Sequence, residues 1–450
     1  MRAQAISGSQ TDERVKLEKG FLPLMEERLG MRQLVTYVPN KTVPIHRWFS
    51  YKEGFSAALV DAFLREFGAQ PGQSRVFDPF VGCGTTVIAA KQAGYGAWGI
   101  DILPVAIFVA GVKLRSAEDY DLLRLKAGMD RLLETPYYKP AISAPQDVRI
   151  IPLAFSEEIL NEILFFKEEI LKEEDESVRE FLLLGLLSIL EKVSYTSKDG
   201  QFLRLKPERN IPPVRATLAK QLRLMHRDLT TVGYQMRLFE KPIKYTVPSS
   251  STYVRLADAR DFTSAIDDYS DVIITSPPYL NRYDYSRIYS LELCLAFVED
   301  FAGLKEIRYS LLRSHIESRP APTAEVDHPA LQEVLSSLAG KKLNNPRIPV
   351  MIKGYFEDMN LALKELYKVC RPGAKIALVV GNVRFEGELI PVDLLLSELA
   401  GDVGFSIDKV IITRYKGNSS QQMGKYGRVP VRESVLIWSK GVQPHGSFRR

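Results

Sequence analysis

The sequence predicts an α/β protein whose sheet is interrupted by a helical insertion, and three stretches carry that prediction. The first is Asp271-Val-Ile-Ile-Thr275-Ser276-Pro277-Pro278-Tyr279. Its β-branched apolar run suits the interior of a parallel sheet and is cut off by two prolines with no N–H for the ladder. The second is Arg75-Val-Phe-Asp78-Pro79-Phe80-Val81-Gly82-Cys83-Gly84-Thr85-Thr86, continued by apolar residues at helical spacing to Ala93, which reads as strand, glycine turn, helix. The third is the series of helical patterns across residues 116–247, set between sheet-forming segments.

The whole chain bounds these readings. At 450 residues it exceeds one ordinary domain and calls for a core with insertions. The net charge of +5, from 60 Lys and Arg against 55 Asp and Glu, is mild, so polyanion binding must be argued from where the charges sit. Cys83, Cys294 and Cys370 stand far apart without Cys-x-x-Cys or Cys/His spacing, which suggests neither a disulfide framework nor a metal site. The first residues lack the apolar centre of a signal peptide, and no uninterrupted apolar run of about 18 residues occurs. The expectation is a cytoplasmic protein with no membrane span.

Taken in order, residues 1 to 20 are polar without a stable period and predict a loose arm, with 1–45 leading into the core. Residues 44–56 carry His46, Trp48, Phe49, Tyr51 and Phe55 ahead of a helical pattern over 57–67, with Ser56 placed to cap it. Those aromatics either plug the helix end or face a ligand. In the glycine turn, Gly82 and Gly84 allow positive φ and close approach of backbone to ligand, and Thr85 and Thr86 can cap the next helix. The spacing matches neither Gly-x-Gly-x-x-Gly nor the Gly-Lys-(Ser/Thr) of a triphosphate loop, so no pyrophosphate cradle is expected. Residues 95–104 read as a strand ending in Asp101-Ile102, where a carboxylate can accept from ribose hydroxyls or cap the following helix.

Within 116–247, residues 156–171 are helical, and the apolar stretch 181–190 suits a buried helix. Residues 204–244 hold ten Lys and Arg against Glu208, Asp228 and Glu240, an excess of seven that forms either a phosphate-contacting surface or a solvated helix face. The sheet resumes at 252–262, with Ala257-Asp258-Ala259 ending the strand. After the Ser-Pro-Pro-Tyr turn, Tyr283, Tyr285 and Tyr289 alternate with Arg282 and Arg287, as a nucleotide-binding rim or as core. Residues 301–350, with Pro320-Ala-Pro322 and Asn344-Asn-Pro346, read as a long insertion. Residues 374–382 form a further central strand, and 405–414 with 433–438 a closing antiparallel pair. The polar, basic loop 414–428 between them is of the kind that carries function.

The glycine turn and the tetrapeptide together resemble a family. Asp78-Pro79-Phe80-x-Gly82-x-Gly84-Thr85-Thr86 and Ser276-Pro277-Pro278-Tyr279 are similar to the cofactor loop and the (Asp/Asn/Ser)-Pro-Pro-(Tyr/Phe) motif of S-adenosylmethionine-dependent amino-group DNA methyltransferases. The Ser version is found most often in cytosine-N4 enzymes. The resemblance implies a doubly wound, Rossmann-like methyltransferase sheet built from 46–115, 248–300 and 351–450. The helical insertion 116–247 is then the first candidate for target recognition and 301–350 the second. The matches cover both halves of the core but neither insertion, and the cofactor loop precedes the tetrapeptide, unlike members with the reverse order. The resemblance further implies cofactor contacts from Asp78, Pro79, Phe80, Gly82, Gly84 and Thr85. It assigns Asp101 to the ribose with Ile102 beside the adenine, and Asp258 to the adenine amino group with Ala259 adjoining and Asp261 as substitute. Trp48 and Phe49 would close over the methionine end. Double-stranded DNA is the implied partner, with a cognate restriction endonuclease beside it; monomer and dimer stay equally open.

The expected chemistry is direct methyl transfer to an exocyclic amine, with Ser276, Pro277, Pro278 and Tyr279 at the reacting edge. Cytosine-C5 methylation would need a cysteine nucleophile after a proline, and none of the three cysteines follows one. Ser276 and the Pro277 carbonyl would hold the amine, Tyr279 would stack on the base, and a base within a duplex would have to be flipped out. Adenine-N6 methylation, RNA amino-group methylation and a catalytically silent nucleic-acid binder are the alternatives.

Overall fold

The computed structural model describes residues 13–198, 202–238, 252–319, 325–417, 427 and 429–442. One sheet holds eight strands: β1 Met25–Glu27, β2 Arg75–Asp78, β3 Gly96–Asp101, β4 Tyr253–Leu256, β5 Ser270–Thr275, β6 Cys370–Gly381, β7 Phe405–Lys416 and β8 Val431–Lys440. Their order is β1-β7-β8-β6-β5-β2-β3-β4. Strands β4, β3, β2, β5 and β6 are parallel, β8 runs antiparallel to β6 and β7, and β1 adds in parallel to β7. From β2 the chain leads outward to β3, and from β5 it leads the other way to β6. The carboxyl ends of β2 and β5 therefore flank a topological switch point, where ligands of open α/β sheets bind.

Side-chain alternation shows why these runs are strands. Val272 and Ile274 join one core with Ala377 and Val379, while Ile273 joins the other with Ile376, Leu378 and Val380. Burial on both faces is what turns a parallel strand into a continuous apolar run. Helices Ala57–Glu66, Thr85–Gln92 and Pro104–Leu114 cover the first face, and Ile348–Val369 and Val392–Val403 cover the second.

Between β3 and β4 lie helices Leu122–Glu134, Glu157–Leu171, Glu176–Leu187 and Val214–Leu238. Asp121, Ser156 and Asp175 cap the first three with side-chain oxygens. Asp228 ties the last one to the segment ahead of the glycine turn, accepting from Arg47 Nε at 2.8 Å and Trp48 Nε1 at 3.1 Å. No helix among the described residues is long and apolar enough to cross a membrane.

Local expectations fail where distant partners decide. Residues 13–21 are a helix rather than a loose arm: Leu17 and Phe21 enter the second core, and Arg14 pairs with Glu333 and Glu388 at 2.8 Å each. Ser56 sits at the N-cap, but its hydroxyl donates to the Leu34 carbonyl at 3.0 Å and Asn40 Oδ1 accepts the Ala57 N–H at 2.9 Å. Thr85 and Thr86 lie inside their helix, which starts from Gly84 at φ 88°. Helix Pro329–Ala339 packs into the second core, so part of 301–350 belongs to the fold itself. Pro320-Ala-Pro322, Lys241, Lys244 and most of the loop 414–428 lie outside the described residues.

Candidate active site

A cleft opens at the switch point, where ligands of open α/β sheets bind. Its floor is the glycine turn after β2 and Asp101, Ile102 and Leu103 after β3; one side carries Asp258 and Ala259 after β4, and the other Ser276 and Pro278 after β5. Segment 51–55 forms a wall. Gly82 holds φ 50°, and a Cβ there would stand 2.9 Å from Tyr51 Cε1, so only glycine lets the turn close against that ring. Tyr51 stacks on Tyr289, with centroids 4.9 Å apart at 14°, and the Tyr289 hydroxyl accepts the Lys52 N–H at 2.8 Å. Glu53 holds φ 56°, a strained conformation for a residue with a side chain and one that concentrates at ligand sites.

Two carboxyls organise the floor. Asp101 Oδ2 accepts the Gly82 N–H at 3.0 Å and Oδ1 the Leu103 N–H at 2.9 Å. Burial raises its pKa to about 6, opposed by those N–H groups. Asp78 Oδ1 accepts from the Thr275 hydroxyl at 2.6 Å and the Phe80 N–H at 3.0 Å, and Oδ2 from the Thr86 hydroxyl at 2.7 Å. Burial lifts it likewise to about 6 against those hydrogen bonds. Asp78 thus ties the glycine turn to the residue just before Ser276. Ser276 Oγ is buried and has no hydrogen-bond partner. The Tyr279 hydroxyl stands beside the Ser276 hydroxyl without closing a hydrogen bond to it, and donates instead to Glu433 Oε1 at 3.0 Å.

Of the residues singled out by sequence, Asp78, Pro79, Phe80, Gly82, Thr85, Asp101, Ile102, Asp258, Ala259, Ser276 and Pro278 line the cleft. Trp48 and Phe49 do not: Trp48 packs on Phe181 and Phe49 on Tyr289, and Tyr51 to Phe55 line the cleft instead. Gly84 faces helix Pro104–Leu114, where a Cβ would stand 3.0 Å from Ala110 Cβ. The side chains of Pro277 and Tyr279 do not line the cleft, and Tyr279 is only 6% exposed, so its ring is not an open stacking surface. Both Asp258 oxygens are engaged by Arg260, through Nε at 2.9 Å and Nη2 at 2.6 Å, so an adenine amino group would share that carboxylate. Leu311, Leu312 and Ser314, which belong to no motif in the sequence, also line the cleft. They are held there by Arg313, whose Nη2 pairs with buried Asp358 at 2.7 Å, and nothing local marks them.

A cleft at the switch point of a largely parallel sheet, with a glycine turn, Asp101 and apolar Phe80 and Ile102 on its lining, suits a nucleoside carrying a short charged tail. This fold and site define the S-adenosylmethionine-dependent methyltransferases of Rossmann-like architecture. The chain is 35% identical over 475 positions to the Type II methyltransferase M.BsoBI of Geobacillus stearothermophilus, across 95% of this chain and 92% of that protein. It is 34% identical over 440 positions to the Type II methyltransferase M.AvaI of Nostoc sp., across 91% and 89%. Among solved structures, TrmN from Thermus thermophilus aligns with 85% of this chain and 48% of its own at 13% identity and a TM-score of 0.28. No protein-family profile matches the chain. The chain belongs to the Type II methyltransferases and is a site-specific DNA methyltransferase using S-adenosylmethionine.

Proposed function

We propose that the target is the N4 amine of a cytosine flipped out of double-stranded DNA. The carrying observation is Ser276 Oγ, buried on the cleft wall without a partner. Leaving such a hydroxyl unpaired costs about 1–3 kcal/mol, a cost that an incoming amine N–H removes. Thr275, held by Asp78, fixes the backbone that presents Ser276.

When bound, S-adenosylmethionine supplies an electrophilic methyl group. The chain supplies geometry. An exocyclic amine is a poor nucleophile because its lone pair is delocalised into the ring. Accepting its two N–H groups at Ser276 Oγ and the Pro277 carbonyl biases the nitrogen toward a tetrahedral shape and aims the lone pair at the methyl, so positioning supplies much of the rate. Extrusion from the duplex gives the amine access to the cleft. Serine at the head of the tetrapeptide favours cytosine over adenine.

Phosphate binding falls to Lys220, Arg223 and Arg227, all exposed and spaced to share one face of helix Val214–Leu238. Arg209 and Arg215 are occupied instead by the carbonyls of Glu191 at 2.7 Å and Leu133 at 2.6 Å, so the usable excess is smaller than the sequence count. The enzyme would work in the cytoplasm beside a cognate restriction endonuclease. Nucleoside mass spectrometry of methylated duplex DNA is the test. N4-methylcytosine is expected; N6-methyladenine alone would overturn the base assignment, and 5-methylcytosine the chemistry as well.

A further inference from the structure

We infer that Glu433 is the positioning residue for Tyr279, holding the ring through its hydroxyl and tying it to Arg414 and Lys416 at the end of β7. The inference rests on the reading of the Ser276-to-Tyr279 turn as the edge that receives the base, with Tyr279 supporting Ser276 from behind rather than offering a stacking surface. The Tyr279 hydroxyl donates to Glu433 Oε1 at 3.0 Å, and Glu433 is 1% exposed. Two cations from the end of β7 share that carboxylate: Arg414 through Nε, and Lys416 through Nζ at 2.5 Å. Lys416 Nζ also stands 5.3 Å from the centre of the Tyr279 ring. Glu433 pairs with Gly381 in the β8–β6 ladder, and a Cβ on Gly381 would lie 3.4 Å from Tyr279 Cε2.

Three strands therefore seat one ring, its hydroxyl on β8, its edge on β6 and a cation from β7. A tyrosine side chain has two torsions, and pinning the hydroxyl in a buried site fixes both. The orientation is set before a base arrives, which is how a site avoids reorganisation during reaction.

The experiment compares single-turnover methylation of duplex DNA by the full chain and by Tyr279→Phe, Glu433→Gln, the double variant and Tyr279→Ala. Cofactor affinity is followed by calorimetry. Tyr279→Phe and Glu433→Gln should each slow transfer about tenfold, as expected for loss of a hydrogen bond to a charged group. The double variant should be no slower than the slower single one, and cofactor affinity should be unchanged. Additive losses, or wild-type rates in a folded Glu433→Gln, overturn the inference. Should Glu433→Gln not fold, Tyr279→Phe decides, since it leaves the ion pairs of Glu433 in place; a wild-type rate there overturns it too. A wild-type rate in Tyr279→Ala removes the underlying reading of Tyr279, whereas loss in Tyr279→Ala alone removes only the role of Glu433.

Discussion

Replacing Asp101 by alanine separates cofactor recognition from everything else in the cleft. The carboxylate already accepts Gly82 N–H at 3.0 Å and Leu103 N–H at 2.9 Å, leaving lone pairs on both oxygens for the two ribose hydroxyls. Two charge-assisted hydrogen bonds at the low end of about 1.5 kcal/mol each give about 3 kcal/mol, or roughly a hundredfold loss of affinity. Asp101→Asn keeps one acceptor oxygen and should lose roughly tenfold. The pH dependence follows from the raised pKa of about 6. The bound state selects the ionised carboxylate, so affinity is constant above about pH 6 and falls below it by up to about tenfold per pH unit. In Asp101→Asn that fall should disappear. Titration calorimetry with S-adenosylmethionine across this range measures both effects. Affinity within about twofold of wild type in Asp101→Ala, or a flat wild-type profile, would refute the assignment.

Asp78 tests the same physics in the cofactor-free protein. A folded-state pKa raised from 3.8 to about 6 means that the fold holds the proton more tightly than the unfolded chain does. The penalty is absent below about pH 4, grows between about 4 and 6 and is complete above, where two units correspond to about 3 kcal/mol. An asparagine amide can donate to Thr86 Oγ1 while that hydroxyl donates to the Ile274 carbonyl, now 3.1 Å away. Asp78→Asn should therefore be the more stable protein above about pH 6 and lose its advantage toward pH 4, as read by denaturant unfolding. Neutralising Lys220 and Arg223 should flatten the salt dependence of DNA binding by roughly 0.9 for each phosphate left without its cation, and an unchanged slope would place both in solvent. Ser276→Ala should cut single-turnover methylation on the order of 10²-fold, as when one preorganised polar group is removed from the reacting centre, with cofactor affinity unchanged; equal losses in both would mean that Ser276 shapes the cofactor site instead.

The central sheet was legible because parallel strands buried on both faces have no choice but to be apolar runs, and β5 and β6 are such runs. The glycine turn was legible because positive φ at Gly82 and Gly84 selects a residue type. Facing was not legible. Trp48, Phe49, Tyr51 and Phe55 lie within eight positions, and which rings meet the cleft depends on Asp228, about 180 positions later, pulling Trp48 toward the insertion. Arg14 looks like a solvated charge until Glu333 and Glu388 are placed beside it. Leu311 and Leu312 carry no local mark at all, and pairs such as Arg313–Asp358, distant in sequence, anchor them at the cleft. The basic segment was legible only as a count of charges, which does not reveal which guanidinium groups are spent on carbonyls.

The edge of the sheet has a consequence for synthesis. Strand β1 pairs with Val410, Ile411 and Ile412 of β7, and Glu18 of the first helix meets the otherwise buried Arg432 of β8, through Nη2 at 2.9 Å. A ribosome delivers Met25 nearly four hundred residues before its partner, and loop closure over such a span precedes any gain from the pairing. Leu17 and Phe21 likewise find their cover only once the later helices Pro329–Ala339 and Val392–Val403 have been made.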